Sequence, residues 1–270
     1  MLAILLATIA VTPTSTAALV DAEHAFAKMA AERGVRDSFL FWFRQDAIEF
    51  GPKGPHNARK ALLAAKPPKT KPTAKLAWDP ICADVASSGD LGYTFGPAEL
   101  KSKSDDKVIP GTSEIYLTVW KREGNGPWRV LADIGDDNPP KPADFAFRQG
   151  PIPESAKTPA DQTDLYQTEK ALDSHEGIAL SDELQATYAK TVYQISNNVG
   201  PWSMESKFIP PSLLSFQGGA VSRNADLGYT YGTYRSNFGE HGNFIHIWRR
   251  ADRRQAWKIV VDLAEPIANQ

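Results

Sequence analysis

The 270-residue chain has a single cysteine, Cys82. An intrachain disulfide is therefore excluded, as is any zinc or iron–sulfur site built from several thiolates. Surplus positive charge is missing too. Thirty Lys and Arg stand against 32 Asp and Glu, a formal net charge of −2, so nothing suggests phosphate neutralisation and no nucleic-acid partner is expected. Of the five histidines, His241 and His246 would point to opposite faces of a strand, and no HExxH helix exists, so no metal site is expected. A Walker loop, a dinucleotide fingerprint and a Gly-x-Ser-x-Gly elbow are all missing, and no cofactor is implied. No apolar run reaches the ~20 residues of a membrane-spanning helix.

The apolar run at residues 2–11 is followed by small and polar residues. That is the pattern of a secretory leader over 1–18, cleaved after Ala17 or Ala18, and hence of a periplasmic or secreted protein. A buried N-terminal helix is the alternative, since no Lys or Arg precedes Lys28. Hydrophobic residues at 42% and charged residues at 23% describe globular material.

The chain repeats itself. Asp90-Leu91-Gly92-Tyr93-Thr94-Phe95-Gly96 returns as Asp226-Leu227-Gly228-Tyr229-Thr230-Tyr231-Gly232. Tyr116-Leu117-Thr118-Val119-Trp120-Lys121-Arg122 returns as Phe244-Ile245-His246-Ile247-Trp248-Arg249-Arg250, and Trp128-Arg129-Val130-Leu131-Ala132-Asp133-Ile134 as Trp257-Lys258-Ile259-Val260-Val261-Asp262-Leu263. The period, about 130 residues, far exceeds the ~50 of long solenoid repeats, so each copy must be a domain with its own core. Between them Pro139, Pro140, Pro142, Pro151, Pro153 and Pro159 mark an extended connector. The expected organisation is a leader (1–18), a first domain (19–137), a linker (138–160) and a second domain (161–268).

In the first copy Ala22, Ala25, Phe26, Met29 and Ala30 outline an amphipathic helix that stops at Gly34. Shorter helices are expected over 36–43 and 56–65, and strands over 47–50, 76–86, 91–100, 114–122 and 128–134. The second copy predicts helices near 163–176 and 182–192 and strands near 206–209, 213–221, 226–236, 243–250 and 257–263. Helices first and an antiparallel meander afterwards indicate α+β. The run at 66–75 alternates Lys and Pro and reads as a solvated loop.

Several stretches carry a family likeness: Ala25-Phe26-Ala27, Glu32-Arg33-Gly34-Val35-Arg36-Asp37-Ser38-Phe39, Asp46-Ala47-Ile48-Glu49-Phe50-Gly51-Pro52, the Gly89-to-Gly96 block, and Val119-Trp120-Lys121-Arg122 through Trp128-Arg129-Val130. In these the chain resembles the nuclear-transport-factor-2-like superfamily, and most closely its exported bacterial domains of unknown function. The resemblance implies two tandem cones, each with about three N-terminal helices on a strongly bent antiparallel sheet and a cavity at the open end. Relatives of that fold include ketosteroid isomerases, cyclases, dehydratases and pure binding modules, so fold constrains activity weakly. Ketosteroid isomerases take an oxyanion-hole tyrosine from the first helix. Here that helix has His24 and Phe26 but no tyrosine, while the second copy has Tyr166 near its own first helix.

Candidate catalytic acids are Asp133 and Asp262, each inside an otherwise apolar last strand, and Asp46 before the first strand. Buried in a cavity, such an acid would have a raised pKa and could serve as general acid or base. Capping a turn or pairing with Arg129 or Arg122 is the structural alternative. Strand alternation would put Leu131 and Asp133 on one face. Candidate ligand-binding residues are Tyr93, Phe95, Tyr116 and Trp120 with their counterparts Tyr229, Tyr231, His246 and Trp248, which would either line an apolar pocket or fill the core. Three readings stay open: binding of a small apolar or amphipathic molecule, proton-transfer catalysis by a pocket Asp, and a non-catalytic scaffold. Joined cones should pack as an intrachain pseudo-dimer through their Trp120-side and Trp248-side sheets and leave a monomer.

Overall fold

The computed structural model describes residues 16–66, 70, 72–136, 148–149, 162–172, 186–195, 213–236, 239–252 and 254–267. The expected leader up to residue 15, most of the connector and the expected strand at 206–209 lie outside the described residues. The fold is α+β. The N-terminal half has helices α1 (Thr16–Arg33), α2 (Val35–Trp42) and α3 (Ala58–Ala64), with strands β1 (Phe43–Glu49), β2 (His56–Asn57), β3 (Ala74–Trp78), β4 (Cys82–Val85), β5 (Leu91–Ser102), β6 (Glu114–Lys121), β7 (Arg129–Asp136) and β8 (Arg148–Gln149). The C-terminal half has α4 (Thr163–Leu172) and β9 (Tyr188–Ile195), β10 (Leu213–Val221), β11 (Leu227–Arg235), β12 (His241–Arg249) and β13 (Lys258–Pro266).

The sheet orders are β2-β1-β7-β6-β5-β4-β8, with β3 joined to β5, and β10-β11-β12-β13-β9. The repeated blocks occupy matching strands: β5 and β11, β6 and β12, β7 and β13. Each meander is antiparallel, whereas the first strand of each half pairs in parallel with the strand that ends its meander, β1 with β7 and β9 with β13. The helix expected over 182–192 is strand from Tyr188 onward. Aromatic and β-branched residues dominate there, and Tyr188 and Val192 are buried.

The repeated Asp-Leu-Gly-Tyr-Thr motif is explained position by position. Leu91 and Tyr93 face outward, and so do Leu227 and Tyr229; all four lie in one core shared by the outer faces of both sheets. Gly92 and Gly228 face inward, where an added Cβ would meet Leu19 Cδ2 at 2.7 Å and Leu165 Cδ2 at 2.5 Å. These two leucines, fully buried, anchor α1 and α4 to their sheets, each contributing about 2 kcal/mol of burial. Thr94 and Thr230 also face inward and donate to glutamates of those helices, Glu23 and Glu169.

The motif's first residue joins the halves. Asp226 accepts the Ser87 N–H at 2.8 Å, and Asp90 in turn accepts the Arg223 N–H at 3.3 Å, a reciprocal exchange. Arg249 lies at the centre of this seam. It grips Asp84 with two bonds, of 2.8 and 2.7 Å, and reaches Asp226 at 2.9 Å, all three side chains being buried. The halves pack against each other within the chain, but not through the Trp120-side and Trp248-side faces. Trp120 and Trp248 lie inside their own halves, and the Leu117–Val119 and Ile245–Ile247 positions make the contact. Alternation leaves no other choice: on one strand Trp120 and Val119 cannot share a side.

Candidate functional site

Helix α1 buries the stripe Leu19, Glu23, Phe26 and Ala30, spaced at i, i+4, i+7 and i+11. It is not centred on the expected Ala22, Ala25 and Met29. The stripe carries Glu23 into the interior, where the indole N–H groups of Trp78 and Trp120 and the Thr94 hydroxyl all donate to its carboxyl group. Burial still raises its pKa against those three donors. Beyond this node, between the helices and the inner face of β3, β6 and β7, opens a cavity of about 260 Å³.

Asp133 lies in its wall. Thr118, directly opposite on β6, donates its hydroxyl to Asp133 Oδ1 at 2.7 Å. Burial holds the Asp133 carboxyl well above the ordinary carboxylate range, and the nearby acids Glu23, Glu49 and Glu114 push the same way. Tyr116 lines the same cavity; only 7% of it is exposed, and its hydroxyl has no hydrogen-bond partner among the described residues. Burial raises the Tyr116 pKa well above the usual phenol value. Glu49, at the end of β1, is raised by burial against the opposing pull of His56. Phe26, Phe39 and Trp78 complete the aromatic wall. Chemically, the arrangement offers a carboxyl group whose pKa is raised by burial, a phenol and two further acids around a pocket with an aromatic wall.

A β-bulge aims Asp133 inward. The register of β6 and β7 shifts between Val119 and Trp120, so Leu131 joins Ala132 and Ile134 in the outer core. Leu131 and Asp133 thus do not share a face, contrary to simple alternation. The same shift recurs between β12 and β13, at Ile247 and Trp248, and turns Asp262 inward.

In the C-terminal half the same inner positions are tied together. His246 stands where Thr118 does, opposite Asp262 in register. Its Nδ1 meets Glu169 at 3.0 Å and its Nε2 meets Asp262 at 3.4 Å, while Tyr188 donates to Asp262 at 3.0 Å. Burial alone would lower the His246 pKa, but Glu169 and Asp262 push it up to about 10. Trp248 donates to Thr230, which in turn donates to Glu169.

The structure thus brings Asp133 and Tyr116 to one cavity, with Trp120 below them, and gathers Asp262, His246 and Trp248 at the matching place. It does not bring in the others. Tyr93, Phe95 and Tyr229 are buried in the core between the sheets, and Tyr231 packs against it with Phe50 edge-on at 5.8 Å. They point away from the helices because Thr94 and Thr230, one residue off, point towards them and donate to Glu23 and Glu169. Asp46 is also outside: its side chain is 62% exposed and paired to Arg44 at 2.8 Å. Burial would raise its pKa, but the Arg44 hydrogen bond and charge outweigh that and lower it. Glu23, Glu49, Glu114 and Thr118 were not singled out from sequence. Glu23 had a signal, because Leu19-x-x-x-Glu23-x-x-Phe26 is echoed by Leu165-x-x-x-Glu169-x-x-Leu172. An acid inside a repeated apolar stripe points to a buried partner.

No family model matches the chain, and no curated protein matches it. Among solved structures it is similar to a domain of unknown function with a cystatin-like fold from Nostoc punctiforme, at 14% identity over 65% of this chain and 92% of that one, TM-score 0.36. It is also similar to a ketosteroid isomerase-like protein from Erwinia carotovora atroseptica, at 16% identity over 44% and 92%, TM-score 0.32. A third similar structure is an NTF2-like protein from Cytophaga hutchinsonii, at 18% identity over 43% and 93%, TM-score 0.30.

Proposed function

We propose that the protein binds a small organic molecule in the cavity of its N-terminal half, and that the C-terminal half acts as a fixed partner that covers the outer face of the binding sheet. The observation that carries this reading is the buried Tyr116 hydroxyl, without a partner among the described residues, in the same cavity wall as Asp133. A buried polar group left unsatisfied is costly, and a ligand supplies the missing bond. Native mass spectrometry and thermal shift against a panel of single-ring compounds test it. Binding that is weakened by Tyr116→Phe and abolished by Thr118→Phe, which fills the cavity, supports the reading. No binding across the panel overturns it.

A second reading, proton transfer, is favoured by Asp133 itself. A carboxylic acid kept neutral by burial can donate to a ligand carbonyl, Tyr116 can share the developing negative charge, and Glu49 or Glu114 can accept a proton. Turnover of an enolisable ketone with loss of a deuterium label, reduced in Asp133→Asn, distinguishes this from binding alone.

The two halves serve in this reading as domains at 19–137 and 161–268. Each has an inner core of its own, and a further core lies between them; this supports a reading as a monomer. Light scattering should then give a mass near 29.6 kDa or slightly less. The reading also places the protein outside the cytoplasm. Cleavage after Ala17 or Ala18 would keep the buried anchor Leu19, and N-terminal sequencing of the exported form tests that.

A further inference from the structure

We infer that a second site, at the joint between the halves, binds a small organic acid, an apolar body ending in one carboxylate. It is separate from the cavity beside Asp133 and does not rest on the reading given to that cavity.

The site is a cavity of about 460 Å³ between the turn that follows β1 and the ends of β10, β11 and β12. Its lining contains Lys53, Arg235 and His241, and no Asp or Glu. Arg235 and His241 are directly opposite each other in the antiparallel ladder, with Leu213 next in the same row. Residues so placed stand on one face of the sheet with Cβ atoms about 5 Å apart, close enough for both side chains to reach one group. That face is turned to the Lys53 turn. Thr233, two residues before Arg235, is on the same side of the sheet, and its Cγ2 lies 3.4 Å from where a Cβ on Gly54 would be.

The turn is held in place across the joint. The Gly54 N–H donates to the Gly51 carbonyl at 2.9 Å, and Gly54 has a φ of 93°, which glycine adopts without steric cost. From the other half, the buried side chain of Asn243 donates to the same Gly51 carbonyl at 3.1 Å. The two acids nearest along β12 and β13 do not line the cavity. Glu265 accepts from the Asn243 amide at 2.7 Å, and Glu240 is exposed in the turn before His241. Among the described residues, the side chains of Lys53, Arg235 and His241 make no hydrogen bond or ion pair.

These donors fit a carboxylate. The guanidinium fork of Arg235 matches its two oxygens, Lys53 adds a compact charge and His241 a ring N–H. Arg235 and Lys53 are exposed, so a ligand meets them from solvent. Pro52, Leu213 and Ile267 supply apolar wall, which an inorganic ion would leave uncovered. Size agrees: a 150 Å³ cavity is enough for benzene, so about 460 Å³ accommodates a ring with a chain of several atoms.

The test is isothermal titration of the full chain at pH 7 with 3-phenylpropionate, its neutral analogue 3-phenylpropanol, the cation 3-phenylpropylamine, and acetate. The expected result is binding of 3-phenylpropionate and no detectable binding of acetate. Arg235→Gln and Lys53→Gln, at exposed positions and checked for folding by their melting curves, should each weaken 3-phenylpropionate about tenfold. Neither variant should change whatever affinity the alcohol or the amine has. If the two variants weaken alcohol or amine as much as the acid, the carboxylate class is overturned. Acetate binding as tightly as 3-phenylpropionate overturns the apolar body. No binding of 3-phenylpropionate, or equal binding by wild type and both variants, overturns the site. The cavity beside Asp133 is tested apart from all of these, by Tyr116→Phe.

Discussion

Both halves bury a glutamate from their first described helix against a threonine and a tryptophan of the sheet, Glu23 with Thr94 and Trp120, and Glu169 with Thr230 and Trp248. Both place an aspartate from the last strand nearby. They differ in what stands between the two acids. Thr118 in the N-terminal half is short and neutral, so no cation offsets the burial that raises the Asp133 pKa, and a cavity remains. In the C-terminal half His246 is long enough to touch both acids, and as an imidazolium it places one positive charge between them. One difference on one strand, Thr118 against His246, thus separates an acid beside a cavity from an imidazole that bridges two acids. The lesson is that two matching frameworks can keep the same buried Glu–Thr pair and differ in how the neighbouring aspartate is met.

The comparison breaks most decisively at the seam. Arg249→Met would leave Asp84 and Asp226 buried without their cation, at a cost of about 3–5 kcal/mol. Its counterpart Lys121→Met removes a pair that is more exposed and involves only Asp90, so the loss should be about 1 kcal/mol. Urea unfolding of the two variants checks the ranking, and Asp84→Asn added to Arg249→Met should recover part of the loss. Equal effects would mean that the reciprocal exchange at the two turns, rather than Arg249, holds the halves together.

Exchange of the distinguishing residue comes next. His246→Thr should destabilise by about 2–4 kcal/mol at neutral pH, because two buried acids lose the cation between them. The reverse change, Thr118→His, should bridge Glu23 and Asp133, raise the melting temperature and abolish ligand binding. A Thr118→His protein that still binds would show that the cavity does not depend on the gap between the acids.

The pH profile sharpens the contrast by a smaller margin. His246 has its pKa raised from 6.5 to about 10 on folding, so its stabilisation is complete below pH 6.5 and disappears as pH rises through 10. Asp133, an acid with a raised pKa, also binds more protons in the folded state than in the unfolded one. Its penalty is absent below the ordinary carboxylate pKa and grows as pH rises towards the folded value. Stability should therefore fall with pH from both causes. Asp133→Asn should flatten the acid-side decline, and His246→Thr the alkaline one, in urea midpoints measured from pH 4 to 10.5. Asp46→Asn should have the smallest effect, under about 1 kcal/mol, as an exposed ion pair contributes little. Ligand titration should find its affinity unchanged.

Much of this architecture was legible beforehand. The three repeated blocks identified the matching strands, Gly34 with its φ of 93° ended α1 where expected, and β10 runs over the predicted residues. Asp133 and Asp262 stood out because an acid in an apolar strand needs a partner. The aromatics were less legible. Tyr93 and Tyr116 look equivalent as sequence, yet one lies between the sheets and the other in the cavity, because the face a strand turns to the helices depends on pairing register. Leu131 and Val260 hid the bulges, since nothing about a leucine or valine marks it as the extra residue of a ladder.

What the sequence determined by itself is local or repetitive: helix spacing, glycine at the close approaches of Leu19 and Leu165, alternation along each strand and the matching of one half to the other. Local sterics and period set these before any long-range contact forms. Tertiary structure decided which face of each sheet became a cavity and which a joint, and whether a given acid would be neutral, ion-paired or solvated. Those outcomes depend on groups far apart in the chain, such as Glu23 with Trp120 or Asp84 with Arg249. The free energy of a buried charge is set by what surrounds it once the chain has closed around it.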